Sequence, residues 1–216
     1  MLPALAAEFV GTAFLLMAVV GSGIMAETLS EDVGLQLFEN SFATFGVLIA
    51  LILTFQSVSG AHFNPAVTLT ERALGGIDTP TAIRYIGVQI AGGIVGVIAA
   101  NVMFDLDPFQ WSTKDRSAAH LVFAEGIATL GLLLVIFGLV RSGRSSMVAF
   151  AVGSYIGGAY FFTSSTSFAN PAVTISRTLS DTFAGIDPAS APGFLIVELA
   201  AVVVAIGLIR TIWPTE

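Results

Sequence analysis

The sequence predicts an all-α integral membrane protein with six transmembrane helices and two shorter half-helices. Hydrophobic residues make up 55% of the 216 residues and charged residues only 11%, whereas a soluble domain carries charge on about a quarter of its residues. Six apolar stretches approach the roughly 20 residues that cross a bilayer as a helix. They lie at 4–26, 36–58, 81–103, 118–140, 146–166 and 191–212. Because little sequence remains for a soluble domain, residues 1–216 are predicted to form a single domain.

Composition also excludes several classes of function. The net charge of −7 argues against binding to nucleic acid, which requires a basic surface. The chain has no cysteine and only two histidines, so neither a thiolate metal site nor a histidine-rich one is expected. No nucleophile with a base, and no pair of carboxylates, occurs at a spacing that indicates a catalytic site. We therefore expect no enzyme activity, no metal and no cofactor.

The basic residues predict the orientation in the membrane. The first apolar stretch lacks the basic leading region of a cleaved signal peptide, so it is interpreted as a retained helix. Six spans place both termini on one side. That side has five basic residues, Arg72, Arg84, Arg141, Arg144 and Arg210, and the opposite side has Lys114, Arg116 and Arg177. The excess predicts cytoplasmic termini, and lipid is the expected surrounding partner.

An internal repeat relates the two halves of the chain. The segment AEFVGT at 7–12 matches AEGIAT at 124–129, and NPAVT at 64–68 recurs unchanged at 170–174. Each copy crosses the membrane three times, so the second copy begins on the opposite side from the first. The repeats, about 1–103 and 118–212, are therefore predicted to be inverted, as in many transport proteins with a site at the membrane midplane.

Each Asn-Pro pair predicts the start of a half-helix. Asparagine favours the N-cap position and proline the first helical turn, so half-helices are expected at 64–74 and 170–181. The stretches 57–63 and 163–169 before them would be non-helical, which membrane depth tolerates only beside protein or a watery cavity. The half-helices would meet near the midplane, with amide donors from Asn64 and Asn170 facing a pore. Their positive dipole ends would repel cations there.

These motifs resemble those of the aquaporin (major intrinsic protein) family. The resemblance rests on SGAHFNPAVT at 59–68, the second Asn-Pro-Ala and the two Ala-Glu starts, and it covers nearly the whole chain. It implies a passive channel for water and small neutral solutes, with one pore per protomer in a homotetramer of a bacterial inner membrane. The pore motifs would comprise Asn64, Pro65, Ala66, Asn170, Pro171 and Ala172, and His62 would line the pore.

The selectivity filter implied by the resemblance lacks the arginine that family members usually have. Counting from the motif asparagines assigns it to Thr44, Gly158, Ser167 and Val173, with Phe45 as a possible aromatic wall. Valine at the arginine position, followed by RTLSD at 177–181, resembles bacterial aquaglyceroporins linked to arsenic resistance. The resemblance implies permeability to glycerol and to arsenite as uncharged As(OH)3. A water-selective aquaporin and a secondary transporter remain the alternatives.

Four charged residues lie in or near the spans. Glu8 and Glu125 occupy equivalent places, where buried carboxylates are costly, and they are expected to accept hydrogen bonds from the two re-entrant loops. Arg177 lies one turn beyond Val173, where it would either add positive charge to the outer vestibule or pair with Asp181 and the acidic loops. The role of Glu198 stays open.

Overall fold

The computed structural model describes residues 1–214 and consists of eight α-helices. Their bounds are α1 Leu2–Leu29, α2 Val33–Ser59, α3 Pro65–Leu74, α4 Thr79–Met103, α5 Ala119–Arg141, α6 Val148–Phe162, α7 Pro171–Ser176 and α8 Ala191–Ile212. Short 3₁₀ turns precede α6, at Ser145–Met147, and follow α7, at Arg177–Leu179. The described residues contain no β-strand.

Six of these helices are long and apolar enough to cross a membrane, which confirms the predicted number and order. They are α1, α2, α4, α5, α8 and the continuous helical segment Ser145–Phe162 that includes α6. The first two extend a few residues beyond their predicted ends. The fifth ends at Phe162 rather than at 166, because the chain changes there to the extended backbone that leads to the second Asn-Pro pair.

The half-helices begin where the Asn-Pro pairs predict. Asn64 caps α3, with its side chain accepting from the amide of Ala66, and Asn170 caps α7. The first non-helical stretch is shorter than expected, because α2 continues to Ser59 and ends at Gly60 with φ of 88°. The second half-helix is also shorter than predicted and continues as the 3₁₀ turn.

The packing of the helices follows the inverted repeat. In the first half, α1 packs against α2 and α4, and in the second half the equivalent α5 packs against α6 and α8. The two halves meet where α2 packs against α6. Each half-helix contacts both α4 and α8. This arrangement holds the starts of α3 and α7 together between the two halves.

Two glycines allow the backbones of α1 and α4 to approach closely. A Cβ atom at Gly92 would lie 2.3 Å from the carbonyl oxygen of Phe9, and one at Gly96 would lie 2.2 Å from that of Ala13. Neither oxygen can move aside without displacing α1. Small residues at such contacts are a general device for packing helices in membranes.

We therefore expect Gly96→Ala to destabilise the fold, by about 1–3 kcal/mol, the usual cost of overpacking. Gly87→Ala is the matched control, because Gly87 lies on the same helix and a Cβ there meets nothing within 4 Å. The measurement is the thermal midpoint of aggregation for the protein in detergent. Equal midpoints for the two variants would show that α1 and α4 do not require this contact.

Candidate functional site

The starts of the two half-helices are joined by a reciprocal pair of hydrogen bonds. The Asn64 side chain donates through Nδ2 to the carbonyl oxygen of Ala169 at 2.7 Å, and Asn170 donates likewise to that of Phe63 at 2.8 Å. The side-chain oxygen of each asparagine caps its own helix, accepting from Ala66 N at 2.8 Å and Ala172 N at 3.0 Å. Because an amide has two N–H groups, each asparagine retains one donor for a solute.

The loops before the asparagines share an unusual backbone conformation. Residues three and one before each asparagine have positive φ: Ala61 53°, Phe63 49°, Ser167 54° and Ala169 48°. This left-handed region costs a non-glycine residue about 1–3 kcal/mol. The same conformation at equivalent positions turns the backbone of both loops so that the carbonyls of Phe63 and Ala169 face the opposite asparagine.

Glu8 accepts hydrogen bonds from the first loop. Its Oε1 accepts from Ser59 Oγ at 2.6 Å and from the amide of His62 at 2.9 Å. Its Oε2 accepts from the amide of Phe63 at 2.7 Å and from Gln89 Nε2 at 2.8 Å. The carboxylate is fully buried, and four donors satisfy it. Burial of a charge is tolerated when such bonds replace its hydration.

Glu125 holds the second loop in the equivalent way. Its Oε2 accepts from the amide of Phe168 at 3.1 Å, and its Oε1 accepts from that of Ala169. Like Glu8, the side chain has no solvent exposure. Both carboxylates therefore bond to the amide of the residue directly before a motif asparagine.

Glu198, whose role the sequence left open, completes the second half of the site. Its Oε1 accepts from the amide of Asn170 at 3.1 Å and from Thr174 Oγ1 at 2.8 Å. Its counterpart in the first half is Gln89, whose Nε2 donates to Thr68 Oγ1 at 3.0 Å. The threonines are equivalent, each four residues beyond its asparagine. Aligning the halves on NPAVT could have revealed this pair, 25 and 28 residues beyond the asparagines.

A cavity of about 300 Å³ passes both asparagines and His62. At the end that we call the Glu71 end it is lined by Gln56, Glu71 and Ser145. At the opposite end, the Arg177 end, it is lined by Thr44, Tyr160, Ser167, Val173 and Arg177. His62 lies beside α3, with Nδ1 3.0 Å from Thr68 Oγ1. Asn64, Asn170 and His62 thus lie along one cavity.

Gly158, which the sequence assigned to the filter, and Phe45, which it offered as an aromatic wall, do not line this cavity. Gly158 and Phe45 lie instead in a separate groove with Phe38, Phe42 and Phe161. On α6 the residue that lines the Arg177 end of the cavity is Tyr160 rather than Gly158, and its hydroxyl lies 3.1 Å from Thr44 Oγ1. A helix turns about 100° per residue, so an error of two residues rotates a side chain to the far side.

The spacing of the cavity-lining residues along α2 and α6 agrees with Tyr160, rather than Gly158, lining the cavity. The cavity-lining residues recur every four positions, as one face of a helix requires. On α2 they are Thr44, Leu48 and Ile52, and on α6 they are Val152, Ile156 and Tyr160. Phe45 lies one residue from this face of α2 and is half-buried on the adjoining side.

The Arg177 side chain is only 2% exposed and lines the cavity beyond Val173. Its guanidinium carbon lies 3.4 Å from the centre of the Phe168 ring, and its Nε donates to the carbonyl oxygen of Ala184. Asp181, the alternative partner, instead accepts from the amide of Thr113 at 2.8 Å. The structure therefore places a positive charge beside the passage, one helical turn from the expected filter position.

Glu198 generates a testable prediction about this site. We expect Glu198→Gln to be tolerated, because an amide oxygen can accept the same two bonds and Gln89 already occupies the equivalent place. Glu198→Leu leaves the donors of Asn170 and Thr174 unpaired, at about 1–3 kcal/mol each. Thermal midpoints in detergent measure the difference. If the leucine variant is as stable as the glutamine variant, Glu198 does not support α7.

Comparison with known proteins identifies the family. The family model described as major intrinsic protein matches residues 1–167. Aquaglyceroporin AqpS of Rhizobium meliloti is 45% identical over 94% of this chain and 87% of its own length. Probable aquaporin NIP4-2 of Arabidopsis thaliana is 30% identical over 70% of this chain, which spans about half, 54%, of that relative.

A solved structure has the same fold. The structure of the aquaglyceroporin from Plasmodium falciparum superposes with a TM-score of 0.71 at 20% identity, covering 98% of this chain and 95% of that one. Within residues 1–214 no group of three or more His, Asp or Glu side chains could hold a metal ion. The chain belongs to the major intrinsic protein family, and it is an integral membrane channel for water and small solutes rather than an enzyme.

Proposed function

We propose that this channel passes water together with small neutral polyhydroxy solutes, namely glycerol and undissociated arsenous acid, As(OH)3. The observation that supports this range is the lining of the Arg177 end. Three residues with hydroxyl groups, Thr44, Tyr160 and Ser167, line this end together with apolar Val173. Ser167 Oγ is buried and has no partner among the described residues. A buried hydroxyl without a partner is costly, and a passing hydroxylated solute would satisfy it.

Valine at position 173 supports a passage wider than that of a water-selective channel. An arginine there would extend across the cavity and add five N–H donors, whereas valine adds only two methyl groups. As(OH)3 and glycerol each carry three hydroxyls and no charge, so the hydroxyl lining can replace part of their hydration. The similarity to an aquaglyceroporin, AqpS, is consistent with this solute range.

The central asparagines support exclusion of protons and cations. Asn64 and Asn170 each retain an amide donor after their cross-bonds, and both line the cavity. A water at this point accepts from both donors, so it cannot pass a proton along a continuous chain of hydrogen bonds. The positive end of α3 opposes cations at the same point. These features support a passive pore, because the two asparagines offer no coupling carboxylate at the point where the half-helices meet.

We further propose a homotetramer in a bacterial inner membrane with cytoplasmic termini. This orientation rests on the excess of basic residues on the side of the termini. It would place the Arg177 end outside and the Glu71 end inside. The groove formed by Phe38, Phe42, Phe45 and Phe161 offers an apolar surface between α2 and α6 for lipid or for another protomer.

The solute range is tested by stopped-flow light scattering on proteoliposomes. We expect glycerol and As(OH)3 to enter much faster than in protein-free liposomes, with a flux that does not saturate. If water enters but neither glycerol nor As(OH)3 does, the proposed solute range is overturned and a water-selective channel is favoured. Saturable uptake that follows a second gradient would favour a secondary transporter.

The role of Val173 is tested by Val173→Arg, with Val173→Leu as the control that keeps the side chain apolar. We expect the arginine variant to lower glycerol and As(OH)3 flux about tenfold or more, equivalent to about 1.4 kcal/mol of added barrier. Water flux should fall less, because water is the smallest solute. If Val173→Arg folds and leaves the solute ratios unchanged, Val173 is not part of the filter.

A further inference from the structure

Three cationic side chains converge at the Arg177 end, on three consecutive backbone carbonyls. Lys114 and Arg116 come from the connection between α4 and α5, and Arg177 follows α7. The pairs are Lys114 Nζ with Phe183 O at 2.7 Å, Arg177 Nε with Ala184 O, and Arg116 Nε with Gly185 O at 2.9 Å. We call these three side chains the cation cluster. A single short segment, residues 183–185, therefore positions all three charges.

Within residues 1–214 the cation cluster bonds to carbonyl oxygens and aromatic rings rather than to carboxylates. Neighbouring acids bond to other donors. Asp181 accepts from Thr113, Asp115 from Ser117 and Ser190, Glu27 from the amide of Phe183, and Glu125 from the second loop. The positive charge of the cluster is thus not neutralised by direct ion pairs.

Burial makes this excess of positive charge costly. Arg177 is 2% exposed and Arg116 is 7% exposed. Their guanidinium carbons lie 3.4 Å and 5.0 Å from the centre of the same ring, that of Phe168. Removing a charge from water without an ionic partner is unfavourable. An anion that reaches the cluster would therefore gain the attraction of three charges at once.

The cavity gives an anion access to Arg177. The terminal nitrogens of Arg177 make no hydrogen bond within the described part of the chain, and the side chain lines the passage. Ser167 lines the same end of the cavity, and its buried hydroxyl also has no partner there. A guanidinium group presents parallel N–H donors that match the two oxygens of a planar oxyanion.

We propose that the Arg177 end contains a binding site for a small planar oxyanion of carboxylate size. Arg177 and the Ser167 hydroxyl contact the anion, while Arg116 and Lys114 position it through their charge. An anion held there lies in the path of neutral solutes, so its binding lowers the flux of water through the pore. The anion and neutral solutes share the Arg177 end of the cavity, but only the anion is recognised by its charge.

The lowered pKa of Lys114 is consistent with a concentration of positive charge at this site. Burial, followed by repulsion from Arg116 and Arg177, lowers the pKa of Lys114 to about 8, and the charge of Glu27 opposes the shift. Burial and repulsion from Arg116 likewise lower the pKa of Arg177, although a guanidinium stays protonated at neutral pH. Lys114 is thus affected by the charges of both arginines, and Arg177 by the charge of Arg116.

The test uses sodium formate as the probe, with sodium chloride at the same ionic strength as the reference anion. Isothermal titration of the purified protein in detergent measures binding directly, whatever solutes the channel passes. We expect formate to bind with a Kd in the millimolar range, about tenfold more tightly than chloride. In proteoliposomes, formate should lower water permeability with the same concentration dependence.

Matched variants assign the binding to the cluster. Arg177→Gln and Arg116→Gln should each weaken formate binding about tenfold. Arg116→Lys keeps the positive charge and should retain most of the affinity for formate. Arg210→Gln is the control, because Arg210 also bonds to a carbonyl, that of Ala73, but lies away from this end. Equal affinities for formate and chloride in the unaltered protein, or unchanged binding in Arg177→Gln, would overturn the proposal.

The binding should also weaken as pH rises. The pKa of Lys114 lies near 8 in the folded protein, so its positive charge is present at pH 7 and is largely lost by pH 9. Formate affinity should therefore fall several-fold across this interval. Lys114→Gln should lower the affinity at pH 7 and remove the pH dependence. A pH dependence that persists in Lys114→Gln would contradict the contribution assigned to Lys114.

Discussion

The structure depends on the exchange of hydrogen bonds between Asn64 and Asn170. Each asparagine caps its own half-helix and satisfies a carbonyl in the opposite loop. Neither half-helix is long enough to cross a bilayer alone, and each start requires an unfavourable backbone conformation. The cross-bonds make the two halves support one another. Glu8 and Glu125 then fix the loops from behind, because buried amides in a membrane must find acceptors within the protein.

Much of this arrangement could be predicted from the sequence, because it depends on local signals. Apolar length predicts the spans, and the duplicated Asn-Pro pair predicts both half-helices and their inverted relation. The paired glutamates also follow from the repeat. These features need only the order of residues and the preferences of asparagine and proline at helix starts.

The features that the sequence could not predict depend on the rotation of a helix about its axis and on contacts between residues far apart in the chain. Counting back from Asn170 across the irregular stretch 163–169 gave the wrong face of α6, so Gly158 was assigned where Tyr160 lies. The connection that carries Arg116 has no helical period to reveal its direction, and its partners Gly185 and Ser165 are 69 and 49 residues away. Arg177 could be placed near the pore from its spacing, but not its position against Phe168.

The two ends of the cavity differ in charge although their backbones are related by the repeat. Arg177 and Glu71 each lie seven residues beyond a motif asparagine, and both line the cavity. An anion attracted at the Arg177 end meets a carboxylate before it can leave, and a cation attracted at the Glu71 end meets a guanidinium. A neutral solute experiences neither barrier to first order. Opposite charges at equivalent positions can therefore exclude both signs of ion, even though valine occupies the position where the family usually has arginine.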